Sequence, residues 1–228
     1  MTTPYYQDDA VTLYHGDCLE IDAWLAADVM VTDPPYGMAY RGFGGRPGMN
    51  DATHYEPVVG DGDATTRDAV LERWGDRPAL VFGTWRVPRP AATRQVIVWD
   101  KSMSGPGMGA LDLPWGPSHE EVYVLGRGFR GKRQGSVYGF RPYKSRDSIR
   151  PDHPTPKPTA LVEALLAHCP RGVVADPFAG RGTTLLVARN IGRRAVGIEV
   201  EERYCEVIAK RLAQGALDFE AAATAVRP

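Results

Sequence analysis

Cysteine is scarce in this sequence, and its few copies follow no pattern of known use. Cys18, Cys169 and Cys205 are odd in number, far apart and without a Cys-x-x-Cys pair. They therefore predict neither a disulfide framework nor a zinc site. The five histidines are equally scattered and include no His-Glu-x-x-His motif. The sequence thus gives no indication of a bound metal.

Long apolar runs are also missing, and we do not expect a secretory leader. Each apolar run is a handful of residues, and residues 1–10 have no basic head followed by an apolar stretch. With 228 residues, of which 43% are hydrophobic and 24% charged, the chain has the size and composition of one globular domain, 1–228. We therefore expect a soluble, cytoplasmic protein that does not contact a membrane.

Net charge is nearly absent overall but is unevenly distributed. The formal total is −1, whereas residues 127–150 alone carry +7 and include four aromatic residues. Such polarity is typical of a phosphate-binding face on an acidic body, although a solvated basic loop would have the same composition. The cations that we expect to contact nucleic acid are Arg127, Arg130, Lys132, Arg133, Arg141, Lys144 and Arg146.

Strand and helix patterns alternate along the chain, which predicts an α/β domain with a doubly wound, mostly parallel sheet covered on both faces. Residues 38–64 are rich in Gly, Pro, Asp and Asn, and predict a long mobile loop. The predicted strands are 10–14, 29–32, 79–82, 95–99, 120–125, 173–176 and 194–200, and the predicted helices are 19–27, 66–74, 158–168, 183–190 and 201–214.

A glycine-containing turn, residues 176–184, follows one predicted strand and begins a helix. Gly180 and Gly182 would let the backbone approach a ligand, and the helix N-terminus would present amide groups to it. Leu185 stands where a dinucleotide-binding G-x-G-x-x-G motif has its third glycine, so a pyrophosphate is disfavoured. A tight turn with a purely structural role is the alternative.

Two acidic residues indicate what the turn would bind. Asp176 would repel a phosphate but attract an amino or sulfonium cation, and S-adenosylmethionine carries both. Glu199 lies 23 residues later, at the end of the next predicted strand. That is close to the spacing of about 20 residues at which an acid can reach ribose hydroxyls.

The tetrapeptide Asp33-Pro34-Pro35-Tyr36 follows the predicted strand 29–32. An amino group on an aromatic ring is a poor nucleophile, because its lone pair is delocalised into the ring. The Asp33 carboxylate and the Pro34 carbonyl could accept its two N–H bonds and orient the nitrogen. Tyr36 would stack on a base already removed from its helix. The alternative is a proline-rich turn that only ends the strand.

Taken in chain order, these motifs resemble the beta-class amino-methyltransferases of DNA. The matching blocks are residues 14–20, 32–37, the basic segment, 153–158, 176–184 and 197–199, with the catalytic motif before the cofactor motif as in that class. The resemblance implies a seven-stranded, Rossmann-like methyltransferase sheet with a small target-recognition insertion at 126–151. It further implies S-adenosylmethionine as cofactor, double-stranded DNA as substrate, and methyl transfer to a flipped base.

The resemblance also assigns roles to individual residues. Asp17 should lie near the cofactor's adenine, Glu199 should bind its ribose, and the stretch around Thr155 and Lys157 should help to hold its methionine portion. Pro156 departs from the family, where glutamine is commoner, and the recognition region is short. The implied cofactor contacts are Asp17, Cys18, Thr155, Lys157, Asp176, Pro177, Phe178, Ala179, Gly180, Gly182, Thr183, Thr184, Glu199 and Val200.

Within this family, Asp rather than Ser at position 33 favours adenine N6 over cytosine N4 as the methylated amine. Methylation of RNA or of a protein amide, and an inactive DNA-binding module, are the other readings. Leu185 argues against a nicotinamide-dependent oxidoreductase. The resemblance also allows a cognate restriction endonuclease as a partner, and a dimer, but the sequence determines neither of these, nor the recognition site.

Overall fold

The computed structural model describes residues 2–36, 63–105, 112–141 and 157–225. Several sequence-based predictions lie outside these ranges. They are most of the expected loop at 38–64, Lys144 and Arg146 of the basic segment, and Thr155 of the expected cofactor site.

One mixed sheet contains all the strands of the described residues. Their order across the sheet is β1-β2-β9-β8-β3-β4-β6-β5-β7. The pairs β2–β9, β9–β8, β8–β3, β3–β4 and β5–β7 are parallel, while β6 runs antiparallel to both β4 and β5. The strands are β1 (Tyr6–Gln7), β2 (Val11–His15), β3 (Val29–Thr32), β4 (Ala79–Gly83), β5 (Gln95–Asp100), β6 (His119–Leu125), β7 (Val137–Gly139), β8 (Val174–Asp176) and β9 (Ala195–Glu199).

The described part of the chain has four α-helices beside the sheet: α1 (Thr65–Trp74), α2 (Thr159–Leu166), α3 (Thr183–Asn190) and α4 (Glu202–Ala225). Short 3-10 helices occupy Asp22–Ala26 and Ser102–Ser104. The sheet separates two layers, because alternate residues of β3 pack on opposite faces. Val29 and Val31 join the core formed with α2, α3 and α4, whereas Met30 joins the core formed with α1 and the first 3-10 helix.

The α/β class is confirmed, but two sequence-based predictions about its elements are wrong. In the described ranges the sheet has nine strands rather than seven, since β1 and β7 add edge strands of only two and three residues. Such short strands carry too few residues to show a period-two pattern. The helix expected over 19–27 is a five-residue 3-10 helix, Asp22–Ala26.

The position of a ligand site follows from the strand directions. We call one edge of the sheet the carboxyl edge and the opposite one the amino edge. At the carboxyl edge β6 begins, and β2, β3, β4, β5, β7, β8 and β9 end. From β3 the chain continues to β4, and from β8 it continues to β9 on the other side. The order of strands therefore reverses between β3 and β8, and open α/β sheets bind ligands at such a reversal.

Candidate functional site

A cleft with an empty volume of about 450 Å³ opens at the carboxyl edge, beside the ends of β3 and β8. It brings the tetrapeptide and the glycine turn together, although they are far apart in the sequence. The residues that line it are Asp33, Phe82, Lys157, Asp176, Phe178, Ala179, Gly180, Arg181, Thr183 and Thr184.

Asp33 has both carboxylate oxygens engaged. Its Oδ2 accepts a hydrogen bond from the Lys157 ammonium at 2.5 Å, and its Oδ1 accepts one from the Tyr36 hydroxyl at 2.7 Å. The Lys157 side chain is only 6% exposed, while that of Asp33 is 28% exposed and faces the cleft. The ammonium also lies 5.2 Å from the Phe82 ring and 5.5 Å from the Tyr36 ring. Lys157 is thus a buried cation with a carboxylate and two aromatic faces around it.

Glu120, on β6, provides a second carboxylate next to Asp33. Its Oε1 lies 2.6 Å from the Lys101 ammonium, and its Oε2 lies 3.4 Å from that of Lys157. The Tyr36 hydroxyl also reaches Glu120 Oε2, at 3.3 Å. Two carboxylates therefore share the same lysine and the same phenol.

The charges of this cluster determine its protonation. Burial would raise the pKa of Glu120, but the ammonium groups of Lys157 and Lys101 outweigh it and hold that pKa below its ordinary value. Burial would lower the pKa of Lys157, but Asp33 and Glu120 raise it. Burial, together with the same two carboxylates, keeps the pKa of Tyr36 well above its usual 10.0. At neutral pH, Tyr36 is therefore a neutral donor and Lys157 a cation.

Asp176 lies at the end of β8 with its carboxyl group buried, at 3% exposure. The Thr32 hydroxyl of β3 donates to Asp176 Oδ1 at 2.7 Å, and the Phe178 backbone N–H donates to it at 3.3 Å. Burial raises the pKa of Asp176 from 3.8 to about 7, although the hydrogen bonds from Thr32 and Thr184 oppose this shift. Asp176 thus joins the two strands on either side of the switch point, beneath the cleft.

Glu199 ends β9 and is also buried, at 7% exposure. Its Oε2 accepts the Gly180 N–H at 2.7 Å, and its Oε1 accepts the Glu201 N–H at 2.8 Å. Burial raises the pKa of this carboxyl from 4.5 to about 7, against these backbone hydrogen bonds. Glu199 therefore holds the glycine turn from below, and with the Val200 N–H as a third backbone donor its carboxylate keeps capacity for one further hydrogen bond.

Residues at the end of β2 lie next to Glu199. The Gly16 N–H donates to the Glu199 carbonyl at 2.9 Å, which places the following Asp17 at this corner of the carboxyl edge. Asp17 is exposed and accepts the Leu19 N–H at 2.8 Å. Cys18 is buried, which raises the pKa of its thiol to about 12, so it behaves as a core residue. Val200 is 45% exposed at the same corner.

The turn itself requires glycine. Gly180 and Gly182 have φ angles of 52° and 72°, in the left-handed region that side chains disfavour. A Cβ atom on Gly182 would also lie 2.9 Å from Ile208 Cγ1 of α4. The backbone that borders the cleft is therefore fixed by both its conformation and the packing below it.

The structure divides the predicted nucleic-acid contacts between the two edges of the sheet. Arg127, Arg130, Lys132 and Arg133 are exposed but follow the last residue of β6, which pairs with the first residue of β4 at the amino edge. The Arg130 N–H donates to the carbonyl of His168, just beyond α2. Arg141, in contrast, follows β7 at the carboxyl edge.

The cleft lining contains half of the cofactor contacts expected from the sequence, namely Lys157, Asp176, Phe178, Ala179, Gly180, Thr183 and Thr184. Asp17, Glu199 and Val200 form the neighbouring corner, while Cys18, Pro177 and Gly182 are buried. Sequence reasoning missed Phe82, Lys101, Glu120 and Arg181, and it assigned no role to the Thr32 hydroxyl. No sequence pattern marked Glu120 as a site residue, because it is one of two adjacent acids in an apolar strand. Only the pairing of β6 with β4 shows which of the two faces the cleft.

No helix in the described parts of the chain is long and apolar enough to cross a membrane. Among the residues of those same ranges, no group of three or more His, Cys, Asp or Glu side chains is arranged to hold a metal ion.

The fold and the cleft define a Rossmann-like α/β protein with a cleft at the switch point of its sheet. The model of the DNA methylase family, N6_N4_Mtase, matches residues 113–211. The Type II methyltransferase M.ScaI of Streptomyces caespitosus is 28% identical over 92% of this chain and 83% of its own.

Solved structures agree with the fold. The M1.HpyAVI–SAM complex superposes with a TM-score of 0.57 and 23% identity, over 88% of this chain and 99% of the other. The cytosine-N4-specific PvuII DNA methyltransferase superposes with a TM-score of 0.60 and 15% identity, over 91% of this chain and 88% of the other. These structures confirm the fold, while the family model and the relative of 28% identity confirm the resemblance that the motifs indicated.

Proposed function

We propose that this protein transfers a methyl group from S-adenosylmethionine to an exocyclic amino group of DNA, with adenine N6 as the target. The observation that carries the proposal is the common cleft of Asp33 and the 176–184 turn at the switch point of the sheet. The first offers acceptors to an amine, and the second is a backbone cradle for a cofactor.

The residues of the cleft fit S-adenosylmethionine, which supplies an electrophilic methyl group when bound. Arg181 Nε is a buried donor without a hydrogen-bond partner among the described residues, and it suits the ligand's carboxylate. Asp176 offers a buried carboxyl to its cationic groups, and the Glu199 carboxylate keeps capacity for a ribose hydroxyl. Asp17 lies at the corner where the adenine is expected.

The target amine would compete for Asp33 with groups that already occupy it. Lys157 and Tyr36 take both carboxylate oxygens, so at least one of them must release Asp33 before it accepts an amine N–H. Glu120 lies within 3.4 Å of the Lys157 ammonium and 3.3 Å of the Tyr36 hydroxyl. Lys157 and Tyr36 can therefore move their hydrogen bonds from Asp33 to Glu120, and no buried charge is left unpaired.

Asp at position 33 supports adenine as the base. Cytosine N4 remains the second candidate, because the two amines present the same geometry to the tetrapeptide and a structural neighbour of this chain is titled cytosine-N4-specific. The relatives named as Type II methyltransferases support double-stranded DNA as the substrate and a cognate restriction endonuclease as a partner. A dimer is a further proposal, which sedimentation of the purified protein tests.

The deciding experiment incubates the protein with labelled S-adenosylmethionine and varied double-stranded DNA, and then identifies methylated nucleosides by mass spectrometry. RNA and protein acceptors are run in parallel, and Asp33→Asn is the matched control because it keeps the side-chain volume. We expect N6-methyladenine from the wild type and none from the variant. N4-methylcytosine alone would transfer the assignment to cytosine. DNA binding without methyl transfer would indicate an inactive binding module.

A further inference from the structure

Two tryptophans are exposed at the carboxyl edge, which is unusual for so large an apolar side chain. Trp85 follows the end of β4 and is 56% exposed, and Trp115 lies on the segment that leads into β6 and is 81% exposed. The other three tryptophans of the chain, Trp24, Trp74 and Trp99, are at most 2% exposed. Folding therefore buries every tryptophan except the two on the edge that holds the cleft.

Cations accompany these rings on the same edge. The Arg86 guanidinium lies 5.5 Å from the centre of the Trp85 ring, and Arg141 is exposed just after β7. The larger group formed by Arg127, Arg130, Lys132 and Arg133 is separated from this edge by the length of β6. Seven residues of strand span about 20 Å. That group is therefore too distant to contact the phosphates next to a base held at Asp33.

Extruding a base from a duplex leaves a gap and an unpaired partner base. Apolar and aromatic side chains commonly fill such gaps or stack on the exposed bases, while arginines contact the neighbouring phosphates. Of the described residues, Trp85 and Trp115 are the tryptophans placed to do this, since Trp85 is three residues from Phe82 in the cleft wall.

We propose that Trp85 and Trp115 are the aromatic contacts of a DNA-binding surface on the carboxyl edge, with Arg86 and Arg141 as its phosphate contacts. The cations at 127–133 do not face the DNA around the target base. This inference rests on the proposed function, because it takes DNA as the partner of the same cleft.

The three buried tryptophans make intrinsic fluorescence a direct probe of this surface. Acrylamide should quench only the emission of Trp85 and Trp115 in the free protein. Addition of a short duplex containing the site found by methylome sequencing, together with S-adenosylhomocysteine, should protect that emission. The Trp85→Phe/Trp115→Phe variant should show little quenching and no protection. Unchanged quenching of the wild type by acrylamide on saturation with DNA would contradict the proposal.

Binding measurements on variants give the second test. Removal of an aromatic side chain that stacks on a base weakens binding roughly 5- to 150-fold. We expect losses of this size for Trp85→Ala and Trp115→Ala in fluorescence anisotropy, and much smaller losses for Trp→Phe, which keeps an aromatic face. The matched control is Arg127→Ala/Arg130→Ala/Arg133→Ala, for which we expect less than a twofold change. All these side chains are exposed, so thermal melting should be nearly unchanged.

Methyl transfer by the wild type, measured in parallel, separates this inference from the proposed function. If the wild type methylates DNA but the tryptophan variants bind as tightly as it does, the inference is wrong and the function stands. The same holds if the triple arginine variant loses more affinity than Trp115→Ala. If the wild type neither binds nor methylates DNA, both proposals fail together.

Discussion

Among single residues, Glu120 is the one whose importance follows most directly from the contacts of its neighbours. It is the second carboxylate partner of Lys157, and without it Asp33 would be the one carboxylate left to the buried ammonium among the described residues. We expect Glu120→Gln to keep Lys157 on Asp33 and to misplace the amine. A misplacement of this kind lowers kcat roughly tenfold or more. The KM for S-adenosylmethionine should change less than twofold, as measured by steady-state kinetics.

The adjacent residue offers a matched control for that prediction. Glu121 points to the other face of β6, where its two oxygens accept hydrogen bonds from Arg89 at 3.0 and 2.6 Å. Glu121→Gln should therefore affect stability rather than kcat. Equal losses of kcat in the two variants would mean that Glu120 has only a structural role.

Asp176 predicts how stability depends on pH. Its pKa is about 7 in the folded protein and near 3.8 in an unfolded chain, so the folded state retains a proton that the unfolded state has lost between these values. Stability should therefore decrease as the pH rises from about 4 to about 7. Asp176→Asn keeps an acceptor for Thr32 and should flatten this slope, as measured by urea unfolding across that range.

Glu199 should contribute in the same direction, because its pKa is also raised to about 7. Glu199→Gln should remove the remaining part of the slope. Glu120 and Glu121 have lowered pKa values, so their contributions are lost as the pH falls below their ordinary value of 4.5, and above about pH 5 they do not add to this slope. If the slope of stability against pH stayed the same in Asp176→Asn, the raised pKa assigned to Asp176 would be wrong.

At the scale of elements, the packing of α3 on β9 explains how a chain without the third glycine of G-x-G-x-x-G still makes a close helix–strand contact. Leu185 stands at that position and is fully buried. The close approach is made instead by Gly197, where a Cβ atom would lie 2.6 Å from Leu185 Cδ1. The glycine that permits contact is thus on the strand rather than on the helix.

This contact predicts a coupling between the two residues. Gly197→Ala overpacks the interface and should lower the free energy of unfolding by about 1–3 kcal/mol, and Leu185→Ala leaves a cavity that costs about 2–5 kcal/mol. In the double variant the new methyl group enters the space left by Leu185, so its loss should be smaller than the sum. Urea unfolding of the four proteins measures this, and simple additivity would contradict it.

At the scale of the whole molecule, stability should be greatest in the middle of the sheet. All residues of β3 and β4 are buried with neighbours on both sides, whereas β1 and β7 are edge strands of two and three residues. Amides of β3 and β8 should exchange with solvent only on global unfolding, and those of β1 and β7 through local opening. Hydrogen exchange followed by mass spectrometry tests this order. Equal protection of β7 and β3 would contradict it.

The distribution of charge is also a property of the whole molecule, and it shows where the sequence misleads. Residues 127–150 form one basic run in the sequence. Their strand β7 returns to the carboxyl edge, so the described part of the run is divided between opposite edges of the sheet. Charge counted along the chain therefore does not give charge on one surface.

The sequence by itself determined the class of fold, the two motifs of the site and the chemistry expected of them. These depend on local patterns: short apolar strands, a glycine turn before a helix, and an acid followed by two prolines. The tertiary structure alone decided that Glu120 and Lys101 join Asp33, that Gly197 replaces the missing glycine, and that Trp85 and Trp115 are exposed at the carboxyl edge. Each of these depends on which strands are neighbours and in which direction they run, and contacts between distant segments leave no periodic signal along the chain.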